Sequence, residues 1–320
     1  MRALAAANTN IALVKYWGKR AGTANLPAVG SISITLSGLA TRTTVQFDPA
    51  LSADRFALNG QEETGEARDK VSRFLDLVRA QAGLSHRARV DSANDFPTAS
   101  GLASSASGFV ALAAAATSAA GLRLSPRELS GLARQGSGSA ARSVLGGFVE
   151  MTLEGYAQPL LSETAWDLRM VVGVTTEKAK AVSSGRAMEH TTQTSPYFGA
   201  WADTHPADLE GARQAIAQRD LERLGLICEA SCLKMHAAML AAQPGLIFWN
   251  GATVDLMHRV RALRAQGTQA YFTIDAGPHV KVLCATPEVD AVERAVREVP
   301  GVLRTLIASP GPGVSVLEHA

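Results

Sequence analysis

Residues 96–113 read Phe-Pro-Thr-Ala-Ser-Gly-Leu-Ala-Ser-Ser-Ala-Ser-Gly-Phe-Val-Ala-Leu-Ala, a turn running straight into a long helix, and any fold for this chain must accommodate that junction. Pro97 sets the turn and Gly101 lets the backbone come close to a ligand. The hydroxyls of Ser104 and Ser105 fall where the first helical turn presents free N–H groups to an anion. The stretch therefore reads as a phosphate-binding loop opening a helix. Composition alone favours an ordinary Ala-rich buried helix with a capped start. The GxxxxGK[ST] spacing and its lysine are absent, which excludes a Walker loop.

A chain of 320 residues with 47% hydrophobic and 19% charged residues buries a large core and is expected to form two domains. A net charge of +2 is too small for a nucleic-acid partner, although local basic clusters could hold a small phosphorylated ligand. Cys228, Cys232 and Cys284 have neither the number nor the spacing of a metal site or disulfide framework, and read as reduced, mostly buried thiols. Asn8, Asn10 and Lys15 interrupt the apolar N-terminal stretch that would otherwise suggest a signal peptide. The longest apolar run, residues 109–120, is too short to cross a bilayer, so the expected location is cytoplasmic, with no membrane partner.

Residues 8–20 join a strand-like stretch to a polar and aromatic end in which Lys15, Tyr16, Trp17, Lys19 and Arg20 cannot all be core. Lys19 follows Gly18, where a turn could aim its ammonium at an anion, though a solvated loop over a buried Trp17 fits as well. Alternation over residues 31–47 predicts two strands around Gly38. Val71, Phe74, Leu75 and Val78 make the stripe of a helix over residues 69–82, stopped by Gly83. A strand at 87–91 leads into the loop and helix. Ser125-Pro-Arg-Glu128 is a capping box with proline at the first helical position, opening a helix to about residue 134.

Residues 133–148 form a second Gly/Ser-rich turn carrying Arg134 and Arg142, and end in an apolar strand. Interleaved hydroxyls, backbone N–H groups and one bidentate cation suit a site for anionic oxygens. Farther on, strands are expected at 170–175, 269–275, 280–285 and 302–307. Helices fit 207–218, 221–240, 253–265 and a stretch after Pro287, while Ser183 to Arg186 reads as a turn. That order suits helices on an antiparallel sheet in a split βαβ layout. The last four residues, Leu-Glu-His-Ala, are set aside from the fold.

Four stretches, Asn-Ile-Ala-Leu-Val-Lys-Tyr-Trp-Gly-Lys from Asn10, Phe-Pro-Thr-Ala-Ser-Gly-Leu-Ala-Ser-Ser-Ala from Phe96, Arg-Gln-Gly-Ser-Gly-Ser-Ala-Ala-Arg-Ser from Arg134 and Phe-Thr-Ile-Asp-Ala-Gly-Pro from Phe272, occur in the order found in one family. The chain resembles the diphosphomevalonate decarboxylases, a branch of the GHMP kinase superfamily with galactokinase, homoserine kinase and mevalonate kinase. The resemblance implies an α+β fold. Residues 1–165 would form an N-terminal α/β domain like ribosomal protein S5 and residues 166–320 a ferredoxin-like domain, with the site in the cleft between them. It further implies ATP as co-substrate, Mg2+, and a homodimer.

The activity it implies is ATP-dependent decarboxylation of mevalonate 5-diphosphate. Mevalonate monophosphate decarboxylation and a 3-kinase are the alternatives, and a non-catalytic nucleotide-binding protein is the contrasting class. Carried over, Asp275 engages the 3-hydroxyl as base or orienting group, whereas a lone Asp-Ala-Gly-Pro would otherwise read as a turn cap. Lys19 lies near the transferred phosphate and the carboxylate, and Arg142 holds the carboxylate with Asn10 nearby. Tyr16, Ser137 and Ser139 bind the substrate's polar groups. Gly101, Ser104, Ser105, Lys180 and Ser184 attend the nucleotide phosphates, with Ser105 toward the metal. Asp275 and Arg142 are expected at exposed cleft positions. Gly185 and Arg186 occupy the turn after the paired serines in shifted order, which leaves open what grips the terminal phosphate. Ala141 stands for a common cysteine and His279 for an asparagine.

Overall fold

The computed structural model describes residues 1–20, 22–23, 25–96, 104–178 and 180–319. The first strand, β1 (Arg2–Val14), buries alternate residues through Ala7 and every residue from Thr9 onward, as expected of a strand that leaves a half-solvated sheet for a position covered on both faces. It pairs with β2 (Ser31–Asp48), and here the structure corrects the expectation of two strands. Gly38 sits at φ +78°, and the register jumps from Asn8 opposite Ala40 to Thr9 opposite Leu36. A bulge at a left-handed glycine bends one 18-residue strand instead of ending it.

Beyond β2 come β3 (Arg55–Leu58), β4 (Gln61–Glu63), α1 (Gly65–Ala82) and β5 (Arg87–Asn94). Gly83 ends α1 in the left-handed conformation, its N–H on the Arg79 carbonyl, as the sequence predicts. Next are α2 (Ser104–Ala119), α3 (Pro126–Gly136), a 3₁₀ turn (Gly138–Val144), β6 (Phe148–Met151) and β7 (Ala157–Leu161). The Ser125/Glu128 capping box is formed in both directions. The last strand, β12 (Ser315–His319), lies antiparallel against β1, so Leu317, Glu318 and His319 of the residues set aside above belong to the fold. The first sheet runs β12-β1-β2-β5-β3-β4, with β6 on the bent end of β2 and β7 beside it.

The second sheet is made by β8 (Leu168–Val174), β9 (Ala270–Ile274), β10 (Val280–Ala285) and β11 (Arg304–Ala308), in the order β11-β8-β10-β9 with every pair antiparallel. Its helices are α4 (Ser184–Thr194), α5 (Phe198–Gln218), α6 (Leu221–Leu240), α7 (Gly251–Ala265) and α8 (Val289–Arg297). This is the split βαβ arrangement expected of the second half. The turn expected at Ser183 is instead the start of α4, with the Ser183 hydroxyl accepting from the Arg186 N–H. Helix α5 begins earlier than expected and passes through Pro206.

One core joins the two sheets. Ile11, Leu13, Ile32 and Ile34 of the first pack with Met170, Val172, Tyr271 and Leu283 of the second, over Leu224 and Cys228 of α6. The other face of the second sheet, with Phe272, Val280 and Val282, packs on Leu256, Val260, Val292 and Val296 of α7 and α8. Where β1 leaves this core, its last residues and the ends of β9 and the 3₁₀ turn converge on one cavity.

Candidate active site

The cavity has a volume of about 720 Å³. Asn10, Tyr16, Lys19, Ser105, Ser137, Ser139, Arg142, Lys180, Ser184 and Asp275 all line it, so one hollow gathers residues from five distant stretches. Ser104 and Ser105 are the first two residues of α2, and it is Ser105 that reaches the lining. Gly101, with the rest of 97–103, lies outside the described residues.

Asp275 follows the last residue of β9, and its carbonyl accepts the Gly277 N–H in a tight turn that leaves the side chain at the strand end. Its Oδ1 takes a hydrogen bond from Lys15 Nζ at 2.7 Å, and its Oδ2 lies 3.1 Å from Lys281 Nζ. Burial by itself raises the carboxyl pKa, but the two ammonium groups outweigh it and hold the group well below the usual carboxylate range. The side chain is 26% exposed, so the expectation of an open cleft position is corrected to a partly covered one.

Arg142 is corrected further, being 2% exposed. The 3₁₀ turn carries it inward, where it donates to Ser31 Oγ at 2.5 Å and to Asn10 Oδ1 at 3.0 Å, while its Nε has no partner among the described residues. Asn10 is fixed in turn, donating to Ser143 Oγ at 2.7 Å and to the Ser139 carbonyl at 3.0 Å. Burial brings the Arg142 pKa down to about 10, against the pull of Tyr16 and Asp275, so the guanidinium stays charged at neutral pH. An unpartnered Nε on a buried cation lining a cavity is a vacant donor for an anion.

The phenol end of Tyr16 packs against Gly138, and its buried hydroxyl has no hydrogen-bond partner among the described residues. Burial pushes the phenol up to about 12, although Arg142 and Arg134 pull it down, so it remains a neutral donor. Ser137 Oγ lies 3.4 Å from both Ser105 Oγ and Ser139 Oγ, forming a row of hydroxyls between α2 and the 3₁₀ turn. Lys180 Nζ donates to Ser184 Oγ at 2.8 Å and to the Ala276 carbonyl at 3.1 Å, tying the segment before α4 to the Asp275 turn. Burial lowers the pKa of Lys180 and of Lys19, each partly offset by an acid, Asp275 and Glu189 respectively.

Sequence reasoning missed Lys281 as a site residue and left Lys15 unassigned. Lys281 is fully buried, in the apolar strand Val-Lys-Val-Leu-Cys-Ala, and a lone ammonium there was the available signal, since such a charge must find a partner. Lys70 and Arg73 of α1, a helix expected only from its apolar stripe, also line the cavity.

A family described as diphosphomevalonate decarboxylase-like N-terminal domain matches residues 7–158. The mevalonate 5-diphosphate decarboxylase C-terminal domain matches residues 170–305. The chain belongs to the diphosphomevalonate decarboxylase family. Among solved members of that family, MDDEF in complex with MVAPP, AMPPCP and magnesium is 41% identical, with a TM-score of 0.93 and 99% of each chain covered. A structure of the mevalonate diphosphate decarboxylase from Enterococcus faecalis, concerned with ATP binding mediated by mevalonate diphosphate, is also 41% identical over 99% of each chain, with a TM-score of 0.93. A phosphomevalonate decarboxylase of Haloferax volcanii is 32% identical over 93% of this chain and 93% of its own.

Proposed function

We propose that the chain catalyses the ATP-dependent decarboxylation of mevalonate 5-diphosphate to isopentenyl diphosphate, with ADP, phosphate and CO2 as the other products, in the mevalonate route of isoprenoid biosynthesis. The observation that carries this reading is an ionised Asp275 in the same cavity as a buried Arg142 with a vacant donor. One group suits the hydroxyl and the other the carboxylate of a 3-hydroxy acid, and Enterococcus faecalis and MDDEF relatives at 41% identity support the substrate and ATP.

Hydroxide is a poor leaving group, so the 3-hydroxyl must first be phosphorylated. Asp275 accepts the hydrogen bond of that hydroxyl and turns its oxygen toward the γ-phosphoryl. Because two lysines hold it ionised and weakly basic, its work is orientation and charge, and the hydroxyl passes its proton to an oxygen of the transferred phosphoryl group as the oxygen–phosphorus bond forms and the bond to ADP breaks. Lys19 and Lys180 spread the charge of the phosphates. Arg142, fixed by Asn10, holds the substrate carboxylate. When the carbon–oxygen bond to phosphate breaks, the electrons of the carbon–carboxylate bond form the double bond and CO2 departs. Tyr16, Ser137 and Ser139 bind the substrate's polar groups.

Among the described residues no cluster of three His, Cys, Asp or Glu offers a dedicated metal cage. A hydroxyl row at Ser105 and Ser137 fits Mg2+ carried in on nucleotide phosphates, since that ion keeps water and phosphate ligands and needs few from protein. Ser105 would hold it, and when bound it neutralises phosphate oxygens.

A second reading, decarboxylation of the monophosphate, is favoured by the Haloferax volcanii relative and by a cavity wall that includes Gly185 but not Arg186. Purified protein with magnesium, ATP and either mevalonate phosphate decides the matter. One ADP and one CO2 per turnover with the diphosphate supports the first reading, and the same with the monophosphate alone supports the second. ADP without CO2 indicates a 3-kinase, and neither product a non-catalytic nucleotide-binding protein.

We also take the chain to divide near residue 165. Strand β7 ends in the first sheet at Leu161 and β8 opens the second at Leu168, while β12 returns to the first. A cytoplasmic location fits three buried free cysteines. No helix among the described residues is long and apolar enough to cross a membrane. A homodimer is the assembly to test by sedimentation.

A further inference from the structure

Strand β10 alternates two environments. Val280, Val282 and Cys284 enter the core beneath α7 and α8, whereas Leu283 joins the core shared with Ile11 and Leu13 of β1. Lys281 shares the parity of Leu283 and pairs in register with Thr273 on β9, two residues before Asp275. Its side chain is 0% exposed and is not part of the cavity lining, unlike Lys15. An ammonium in that position loses its water, and a methionine would fill the same volume without that cost. Its one acidic partner at ion-pair distance, among the described residues, is Asp275.

We propose that Lys281 is a positioning residue for Asp275, gripping Oδ2 while Lys15 grips Oδ1, so that the carboxylate is fixed in the plane in which it meets the substrate hydroxyl. The inference rests on the functional reading above and deepens it. Each oxygen has its own lysine, Lys15 Nζ on Oδ1 at 2.7 Å and Lys281 Nζ on Oδ2 at 3.1 Å. With Lys15 alone the carboxylate could swivel about its last bond. With both, rotation breaks at least one pair, and the near-attack orientation exists before substrate arrives.

The second lysine also keeps the carboxylate charged against its own burial. The groups facing Asp275 are Lys15 at the end of β1, Lys281 on β10, Lys180 before α4, Arg142 on the 3₁₀ turn, and Cys232 and His236 on α6. Burial holds the His236 imidazole down to about 3 and raises the Cys232 thiol, so neither changes charge near neutrality.

Lys281→Met tests the proposal with two readouts. Carbon-13 NMR of aspartate-labelled protein, with the Asp275 signal assigned through Asp275→Asn, follows the carboxyl directly and needs no turnover. Wild-type Asp275 should stay ionised through the ordinary aspartate value of about 3.9, and in Lys281→Met its midpoint should climb above that value. The kcat should fall by roughly tenfold to a hundredfold with KM nearly constant, and its acidic limb should move to higher pH. Lys281→Arg should keep the carboxyl ionised and restore part of the rate. A folded Lys281→Met protein with an unmoved Asp275 midpoint and wild-type kcat overturns the proposal. If Lys281→Met does not fold, the wild-type titration still decides, because an Asp275 that protonates at or above about 3.9 overturns it as well. Wild-type protein that releases no CO2 from either mevalonate phosphate would sink the functional reading while leaving the carboxyl titration interpretable.

Discussion

Tyr16 lies so close over Gly138 that a Cβ on the glycine would fall 2.2 Å from the phenol oxygen. The site's tyrosine is therefore seated by the absence of a side chain on the neighbouring turn. Gly138→Ala should displace the ring and raise the substrate KM about tenfold or more, since a misplacement of an ångström at a binding wall is enough. Gly131→Ala, in the interior of α3 where the new methyl meets no atom of the described residues within 4 Å outside its own helix backbone, should leave KM alone and stabilise by about 0.5–1 kcal/mol. Steady-state kinetics and urea melts of the pair check both signs. An unaltered KM in Gly138→Ala would remove Tyr16 from the site.

Asp275→Asn should suppress ADP and CO2 together by on the order of a hundredfold or more. It should also cost about 3 kcal/mol, because Lys15 and Lys281 are left buried beside a neutral group. Arg142→Gln should cut CO2 release while nucleotide affinity stays near normal. Circular dichroism confirms folding, and nucleotide titration separates the two defects. Full CO2 output from both folded variants would dismantle the proposed site.

Ser105→Ala removes one hydroxyl from the second position of α2 and should leave the fold intact. Its expected defect is a raised KM for the magnesium nucleotide and slower phosphoryl transfer. Unchanged nucleotide affinity and turnover would place the metal elsewhere.

Acid should destabilise the protein through two buried histidines. His236 and His279 are held down to about 3 by burial, with nearby cations acting in the same direction. Their native pKa lies below the unfolded value of about 6.5, so in that interval the unfolded chain binds protons that the native chain refuses. Stability contributed by the neutral rings is whole above about pH 6.5 and shrinks by roughly 1.4 kcal/mol per pH unit for each ring as pH falls toward the native value. Urea melts at falling pH measure that slope, which the double variant His236→Gln/His279→Asn should flatten. A wild-type slope no steeper than the variant's would refute the assignment.

Most of the fold could be read from local signals. The Gly83 terminator, the Ser125/Glu128 box and the limits of α6 are set by caps and periodicity within a few residues, and these emerge as expected. The bend at Gly38 could not be read, because a left-handed glycine serves a hairpin and a bulge alike, and only the partner strand decides. Ser183 was legible as a turn but not as a helix cap, since α4 carries few apolar residues. In the site, the motif residues were found by likeness and the cavity unites them. Lys15 pairs with Asp275 from 260 residues away, which no window of sequence relates, whereas Lys281 lies only six residues on and its lone charge in an apolar strand was the signal overlooked.

The chain passes between its two sheets twice, once from β7 into β8 and once from β11 into β12, where Ser37 N–H binds the Ser309 carbonyl and Gly311 N–H binds the Thr35 carbonyl beside the β2 bulge. A body tethered at one point can swing in any direction, but two tethers leave a single axis, the line joining them. Rotation about that line would also have to break the core in which Ile11 and Leu13 of one sheet pack with Tyr271 and Leu283 of the other. Admission of two phosphorylated substrates then falls to short elements at the rim, such as the segment before α4 that Lys180 pins to the Asp275 turn.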